Sequence, residues 1–207
     1  MAKQHSTRHE SASNPVDDKT VAIMRAITRC IERQGLKKTR MDDIAAEANL
    51  SRITLYREYG NRDSLINAFL AFRSANFNSR IKSKLDACKT IDDALECYLV
   101  DAALIAATDT SIRELVIVHQ IFQSALNDDD SPLKSGLREL WVPLVKKLCA
   151  TDAKVHSLPP DDIVDWLLIV QSYLVIIVIE SAWSEQKLRA LVRNFISPAF
   201  STPTRRD

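Results

Sequence analysis

Apolar residues recur along most of the chain at the three- and four-residue spacing of amphipathic helices. The first helix is predicted over residues 16–34, with Ile23, Ile27, Cys30 and Ile31 on one face. The same spacing predicts further helices over about 61–85, 90–107, 111–126, 161–184 and 185–196, and one that begins at 131. Two short helices between residues 39 and 60 bring the count to about nine, so we expect an all-α fold.

Local sequence signals mark where several of these helices begin or end. Residues 90–93 and 111–114 have the Ser/Thr-x-x-Asp/Glu spacing of a capping box. Ser131 followed by Pro132 is typical of an N-cap with proline at the first helical position. Pro143 would lie inside the helix that begins there, and we expect it to kink or break that helix.

Residues 39–62 are predicted to form two short helices joined by a tight turn. Thr39 and Asp42 have capping-box spacing, which predicts that the first helix starts there. Asn49 follows at the corner, and asparagine tolerates a left-handed backbone. Ser51 is placed to cap the second helix, and Gly60 stands just beyond its end.

The second of these helices has an unusual exposed face. Leu55 and Tyr59 form an i, i+4 pair that we expect in the core. The opposite side carries Arg52, Ile53, Thr54, Tyr56 and Arg57. A helix in a DNA major groove can use such residues, because arginine binds guanine or phosphate while threonine and isoleucine contact thymine methyl groups. This is the pattern of a helix-turn-helix.

We therefore expect two classes of DNA contact. Arg52, Ile53, Thr54 and Arg57 are predicted at base edges, and Thr39, Tyr56 and Arg62 at phosphates. Arg62 follows Asn61, a plausible cap of the next helix, so its positive charge opposes the helix dipole. A phosphate nearby would explain that placement.

The same stretch resembles the TetR family of bacterial transcriptional regulators over about residues 20–70. The resemblance rests on Ile44-Ala45-x-x-Ala48-x-x-Ser51-x-x-Thr54-Leu55-Tyr56-x-x-Tyr59-x-Asn61-Arg62-x-x-Leu65. The family usually has glycine at position 49 and lysine at 62, and the residues present preserve a left-handed corner and a cation. The resemblance implies a DNA-binding domain over 16–62, a helical ligand-binding and dimerisation domain over 63–200, and tails at 1–15 and 201–207.

Charge and composition fit this interpretation. Residues 1–80 hold 14 basic and 9 acidic side chains, whereas residues 81–207 hold 14 and 18. The basic half is the one with the helix-turn-helix, as DNA binding requires. No apolar signal segment opens the sequence, so we expect a cytoplasmic protein.

No residue pattern indicates catalysis, a metal site or a cofactor. Cys30, Cys88, Cys97 and Cys149 lie far apart without C-x-x-C spacing, and the histidines show no ligand spacing. We interpret the cysteines as free thiols rather than a redox switch. Motifs of hydrolases, metalloproteases and P-loop proteins are absent from the sequence, so we expect no enzyme.

The most apolar stretch, about residues 161–184, is predicted to form a homodimer together with the helix that follows it. Because it is apolar all round, we expect burial on every side. Acidic residues at 165 and 180 bound the run too tightly for a membrane span. The expected dimer residues are Trp166, Val170, Leu174, Ile177, Leu188, Leu191 and Phe195. The alternative is that this helix is central within one protomer.

A small-molecule effector, apolar or aromatic, is expected to bind in the second domain. The candidate residues are Tyr98, His119, Phe122, Gln123, Trp141, Gln171 and Tyr173. Each is also typical of an ordinary core. His119 and Gln123 are predicted one turn apart on one helix face.

The leading functional hypothesis is a homodimeric repressor that releases a double-stranded DNA operator when the effector binds. The alternative is a helical interaction or scaffold protein whose helix-turn-helix no longer reads DNA. The exposed isoleucine and tyrosine favour DNA reading, because a retired motif would be expected to lose them.

Overall fold

The computed structural model describes residues 15–150 and 159–200, and within these ranges the chain is helical without strands. Its helices are α1 (Pro15–Gln34), α2 (Met41–Glu47), α3 (Arg52–Tyr59), α4 (Arg62–Ala87), α5 (Ile91–Thr108), α6 (Thr110–His119), α7 (Ile121–Asn127), α8 (Pro132–Cys149), α9 (Pro160–Ser181) and α10 (Glu185–Leu191). A short 3₁₀ helix, Leu36–Lys38, joins α1 to α2, and Val192–Ile196 and Ser197–Phe200 extend α10. The predicted all-α fold is confirmed. The expected tails lie outside the described residues, apart from Pro15.

Helices α1 to α3 form the N-terminal unit, which packs around the apolar face of α1. Ile23, Ile27, Cys30 and Ile31 are all buried, as their spacing predicted. Helix α2 packs on α1, and α3 packs on α2. Leu55 anchors α3 in this core.

Helices α4 to α10 form the C-terminal unit, in which α4, α5, α8 and α9 pack together. At its centre the ring of Tyr98 lies edge-on to both Phe77 and Trp141, with centroids 5.4 Å apart in each pair. The 26 residues of α4 also contact α1 and α3, so this helix is shared by the two units.

One helix predicted over 111–126 is two helices, which raises the count within the described ranges to ten. Gln120 has φ 50° and ψ 44°, a left-handed conformation that ends α6 and starts α7. The N-cap of α6 is Asp109, whose carboxylate accepts from the Ile112 amide, so the predicted cap at Ser111 was wrong. No glycine or proline marks this break, and its sequence signal is weak.

Pro143 does not break α8, which runs from Pro132 to Cys149. Pro143 is exposed, and so is Glu139 one turn earlier. The carbonyl that loses its intrahelical partner can therefore be hydrated, which lowers the cost of an internal proline. The predicted caps at Thr90 and Ser131 are confirmed.

Helix α9 is long and apolar enough to pass the length and composition criteria for a membrane span over Asp161–Ser181. In this fold it packs against α5, α7 and α8, and less than half of that window is buried. It therefore serves as a core helix that also presents an apolar face to the outside.

The predicted outward face of α9 was off by one residue. Leu174 is only 2% exposed and Leu188 is also buried, so neither is available to a second protomer. Trp166, Val170, Ile177 and Leu191 are half-buried, and Phe195 is 75% exposed. The exposed side of α9 carries Ile169, Tyr173 and Ile176. The helical period was right, but an all-apolar helix does not reveal which side its own neighbours cover.

Candidate nucleic-acid interface

The turn between α2 and α3 has the geometry that its residues predicted. Asn49 adopts φ 55°, and the Leu50 amide donates to the Ala45 carbonyl at 2.8 Å. The Ser51 hydroxyl accepts from the Thr54 amide at 3.1 Å and caps α3. Gly60, at φ 74°, ends α3. Two well-capped ends therefore fix this eight-residue helix on the N-terminal unit.

Helix α2 begins one residue later than predicted, with Arg40 rather than Thr39 at the N-cap. The Asp43 carboxylate reaches back to accept from the Arg40 amide at 2.9 Å. The Thr39 hydroxyl instead donates to the Gly35 carbonyl at 2.8 Å, and Thr39 is buried. Its hydroxyl is thus committed to closing the 3₁₀ segment, so the geometry does not support the expected phosphate contact.

Arg62 also has a different role from the one expected. Its Nε donates to the Thr39 carbonyl at 3.0 Å, and its Nη2 donates to the Leu36 carbonyl at 2.7 Å. A planar guanidinium can bind two carbonyl oxygens at once in this way. The cation at the start of α4 therefore holds the segment between α1 and α2. Its partners lie 23 and 26 residues earlier, which local sequence patterns do not reveal.

The exposed face of α3 contains four of the five residues expected there. Ile53 is 78% exposed and Tyr56 is 47% exposed, between the exposed Arg52 and Arg57. Thr54 is half-buried at the edge of the face, where its hydroxyl shares a 2.8 Å hydrogen bond with Ser51.

The two arginines of this face differ in their surroundings. Arg52 forms an exposed ion pair with Asp42 of α2, at 2.9 Å. The guanidinium of Arg57 has no acceptor among the residues that the structure describes. Arg57 can therefore donate its hydrogen bonds to another molecule without breaking an existing contact.

Ion pairs tie the three helices of the N-terminal unit together. The Glu47 carboxylate at the end of α2 accepts from Arg33 at 2.7 Å and from Arg29 at 2.6 Å, both on α1. These two hydrogen bonds lower the pKa of Glu47. Lys19 of α1 pairs with Glu58 of α3. Helix α3 is thus held by the Lys19–Glu58 ion pair as well as by Leu55 in the core.

A contact between the two units had no signal in the sequence. The Glu114 carboxylate of α6 accepts from the Leu36 amide at 3.0 Å. The 3₁₀ segment is therefore held by two side chains, by Arg62 of α4 through the Leu36 carbonyl and by Glu114 of α6 through the Leu36 amide. The two residues joined are 78 positions apart, beyond the reach of periodicity or capping patterns.

The expected effector residues do not converge on one site. Tyr98, Phe122 and Gln171 line a cavity of about 70 Å³ in the C-terminal unit. Gln123 and Tyr173 line an open groove of about 600 Å³ between α6, α7 and α9. Phe122 also borders this groove, whereas Trp141 is buried in the core.

His119 and Gln123 do not share a helix face, so that prediction was wrong. The left-handed Gln120 separates them, with His119 ending α6 and Gln123 inside α7. His119 instead borders a different cavity, beside Asn67 and Asp128.

Comparison with known proteins agrees with this geometry. Residues 23–69 match the sequence model of "Bacterial regulatory proteins, tetR family". The DNA-binding transcriptional repressor TetR of Mycobacteroides abscessus is 31% identical over 65 residues, which are 31% of this chain and 34% of that protein. The match thus spans about a third of that curated relative.

Solved structures extend the likeness to the whole fold. The TetR family repressor AlkX from Dietzia sp. has a TM-score of 0.61 at 20% identity, over 87% of this chain and 94% of that one. The fatty acid degradation regulator FadR from Bacillus halodurans has a TM-score of 0.66 at 15% identity, over 94% and 99%. At these identities the likeness shows a shared fold. Together with the match over residues 23–69, it identifies the N-terminal unit as a domain of the tetR family of bacterial regulatory proteins and shows that the chain shares the fold of such regulators.

Proposed function

We propose that the protein is a cytoplasmic transcriptional regulator, acting as a repressor, that reads a double-stranded DNA operator with the exposed face of α3. The observation that carries this proposal is the exposure of Ile53 and Tyr56 beside Arg52 and Arg57 on a capped helix. Arginines supply hydrogen bonds to guanine and phosphate, the isoleucine fits a thymine methyl group, and the tyrosine hydroxyl reaches a phosphate.

A scaffold protein with a retired helix-turn-helix explains this face less well. An isoleucine that is 78% exposed gains nothing for the stability of the protomer, and it adds apolar surface. Arg57 likewise makes no stabilising contact among the described residues. Both side chains are explained if they contact DNA.

Operator binding tests this proposal. Wild-type protein is expected to shift DNA from the region upstream of its own gene more strongly than random DNA. Arg57→Ala should weaken that binding by about 1–3 kcal/mol and relax the preference at one base pair. Arg80→Ala removes an exposed arginine at the far end of α4 and serves as the matched control, with unchanged binding expected. If wild type bound both DNAs equally, or if Arg57→Ala bound like wild type, α3 would not be the reading element.

The proposal includes a homodimer. One α3 helix makes only a few base contacts, and tight specific binding commonly comes from two half-sites read by a two-fold dimer. The expected interface is the exposed side of α9, Ile169, Tyr173 and Ile176, together with Phe195. Ile169, Tyr173 and Ile176 are 47%, 69% and 41% exposed, and Phe195 is 75% exposed. Large apolar side chains that are this exposed in one protomer support burial against a second copy.

Sedimentation of charged variants tests the dimer. Tyr173→Glu combined with Ile176→Glu should give a folded monomer with weak operator binding, since both side chains are exposed in the protomer. Ser83→Glu, an exposed position on α4, is the control and should remain dimeric. A double variant that stays dimeric would place the interface elsewhere, and a monomeric wild type would end the dimer proposal.

The proposal also includes release by a small effector bound in the C-terminal unit. Helix α6 supports this, because Val116 lines the cavity formed with Tyr98 and Gln171 while Glu114 holds the 3₁₀ segment of the N-terminal unit. An occupant that shifts α6 would disturb that segment and change the spacing of the two α3 helices. By linkage, operator must weaken effector binding by the same factor, and equal affinities with and without operator would remove this part of the proposal.

A further inference from the structure

A mostly apolar cavity of about 70 Å³ is lined by residues of α4, α5, α6, α7, α8 and α9. Four polar side chains lie on its wall: Arg73, Ser74, Tyr98 and Gln171. The remaining wall is aliphatic and aromatic, with Phe77 and Phe122 among its largest side chains. The chemistry of the four polar groups therefore determines which class of ligand the cavity can bind.

Arg73 of α4 carries the one charge on this wall among the described residues. Its Nη2 donates to the Asp109 carboxylate, and no other acceptor for the guanidinium is found in the described part of the chain. A guanidinium has five N–H donors, so several remain available. Its side chain is only 22% exposed, and in such a site a hydrogen bond to an anion is stronger than at the surface.

Gln171 of α9 provides a second, independent sign of a ligand. Its side chain is buried and hydrogen-bonds to the Tyr98 hydroxyl. Its Oε1 atom has no hydrogen-bond partner among the described residues. Buried amide oxygens rarely lack a donor, so this atom calls for one inside the cavity.

We propose that this cavity binds an apolar molecule that carries one anionic group such as a carboxylate, and that the anion pairs with Arg73 in place of Asp109. This inference rests on the proposed function, because it specifies the chemical class of the effector. A molecule larger than the present cavity must push α6 outward, since Ile112 and Val116 of that helix form part of the wall.

The exchange of partners at Arg73 explains why the anion matters. Asp109 Oδ1 accepts from the Ile112 amide at 3.1 Å and from the Ser111 hydroxyl at 2.6 Å, while Oδ2 faces Arg73. Burial alone would raise the pKa of Asp109, but these hydrogen bonds and the Arg73 charge lower it. A ligand anion on Arg73 releases α6 from α4 and leaves the cap of α6 intact. An uncharged apolar molecule leaves that ion pair in place.

Calorimetric binding of matched probes tests the inference. The pairs are 2-naphthoate with 2-naphthylmethanol, and decanoate with 1-decanol, so that each acid differs from its alcohol in the anionic group. At least one acid should bind wild type about tenfold or more tightly than its alcohol. Arg73→Gln should abolish that difference. Arg80→Gln, which removes an exposed arginine two turns further along α4, should preserve it.

Asp109→Asn gives a prediction of the opposite sign. Asparagine still caps a helix, but it no longer competes for Arg73, so the affinity for the acid should rise. A purely structural role for the Arg73–Asp109 pair predicts no such gain. This variant also keeps the test decisive if Arg73→Gln fails to fold.

The inference is overturned if neither acid binds at millimolar concentration, if acid and alcohol bind alike, or if the preference for the acid survives Arg73→Gln. Operator binding of the same preparations, measured without probe, separates this from the proposed function. If wild type binds operator but shows no preference for the acid, only the proposed class of effector is wrong. If wild type does not discriminate operator from random DNA, the proposed function itself is wrong.

Discussion

Arg62→Ala should destabilise the fold rather than remove a DNA contact. In the structure the guanidinium donates to the carbonyls of Leu36 and Thr39, at 2.7 and 3.0 Å, and so closes the segment between α1 and α2. Alanine would leave two carbonyl groups without these donors, and Thr39 is buried. Loss of these two hydrogen bonds therefore destabilises the N-terminal unit.

The expected magnitude follows from the number and surroundings of these bonds. Hydrogen bonds from a charged group contribute about 1.5–3 kcal/mol each to stability. The Arg62 side chain is 34% exposed, so the lower value applies and two bonds give about 3 kcal/mol. For a chain of this size, that loss lowers the midpoint of thermal unfolding by about 6–12 °C. Arg62→Lys should recover only part of it, because an ammonium group lacks the planar fork.

Two measurements separate this role from a phosphate contact. Thermal unfolding reports the loss of stability, and the salt dependence of operator binding, measured well below the unfolding midpoint, reports phosphate contacts. Loss of one phosphate contact lowers the slope of log affinity against log salt by about 0.9, whereas we expect no change of slope for Arg62→Ala. Arg57→Ala is the control and should keep its unfolding midpoint. An unchanged midpoint together with a flatter slope in Arg62→Ala would refute the structural role.

Three further predictions concern the N-terminal unit. Asp42→Asn should tighten operator binding, because it frees Arg52 from its ion pair and removes a negative charge beside the DNA; equal gel-shift affinities would argue against Arg52 as a contact. Glu47 has a lowered pKa in the folded protein, so its stabilising effect is full above the unfolded pKa of about 4.3 and is lost as pH falls through the folded value. The difference in unfolding midpoint between wild type and Glu47→Gln should therefore be largest near neutral pH and vanish in acid. Gly35→Ala should lower stability by about 1–2 kcal/mol in urea unfolding, because Gly35 has φ 80°, and a neutral substitution would contradict that strain.

Features set by neighbouring residues were predictable from the sequence. Ser51 and Asn61 each cap a helix through an amide three residues later, and Asn49 and Gly60 take up the backbone conformations that their chemistry favours. The exposed face of α3 also followed from helical periodicity alone. The fold class and the position of the candidate DNA-reading helix are consequences of such short-range rules.

Features set by distant contacts were not predictable. Arg62 and Glu114 hold the same 3₁₀ segment from positions far along the chain, whereas the sequence suggested only a phosphate contact for Arg62. Thr39 had the right type and spacing for a cap, but the Gly35 carbonyl takes its hydroxyl. Gln120 adopts a left-handed conformation without a glycine or asparagine signal. In each case a contact with a distant residue, or a backbone conformation without a sequence signal, determined the structure instead of the pattern of neighbouring residues.

In vitro selection from random double-stranded DNA, with purified wild-type protein, tests the central claim most directly. If α3 reads bases and two copies bind together, the enriched sequences should contain two inverted half-sites, separated by about one helical turn or a multiple of it. Selection with Arg57→Ala should lose the preference at one position in each half-site and keep the others. Pools that stay random with wild type, or that converge on the same sequence for both proteins, would contradict DNA reading by α3.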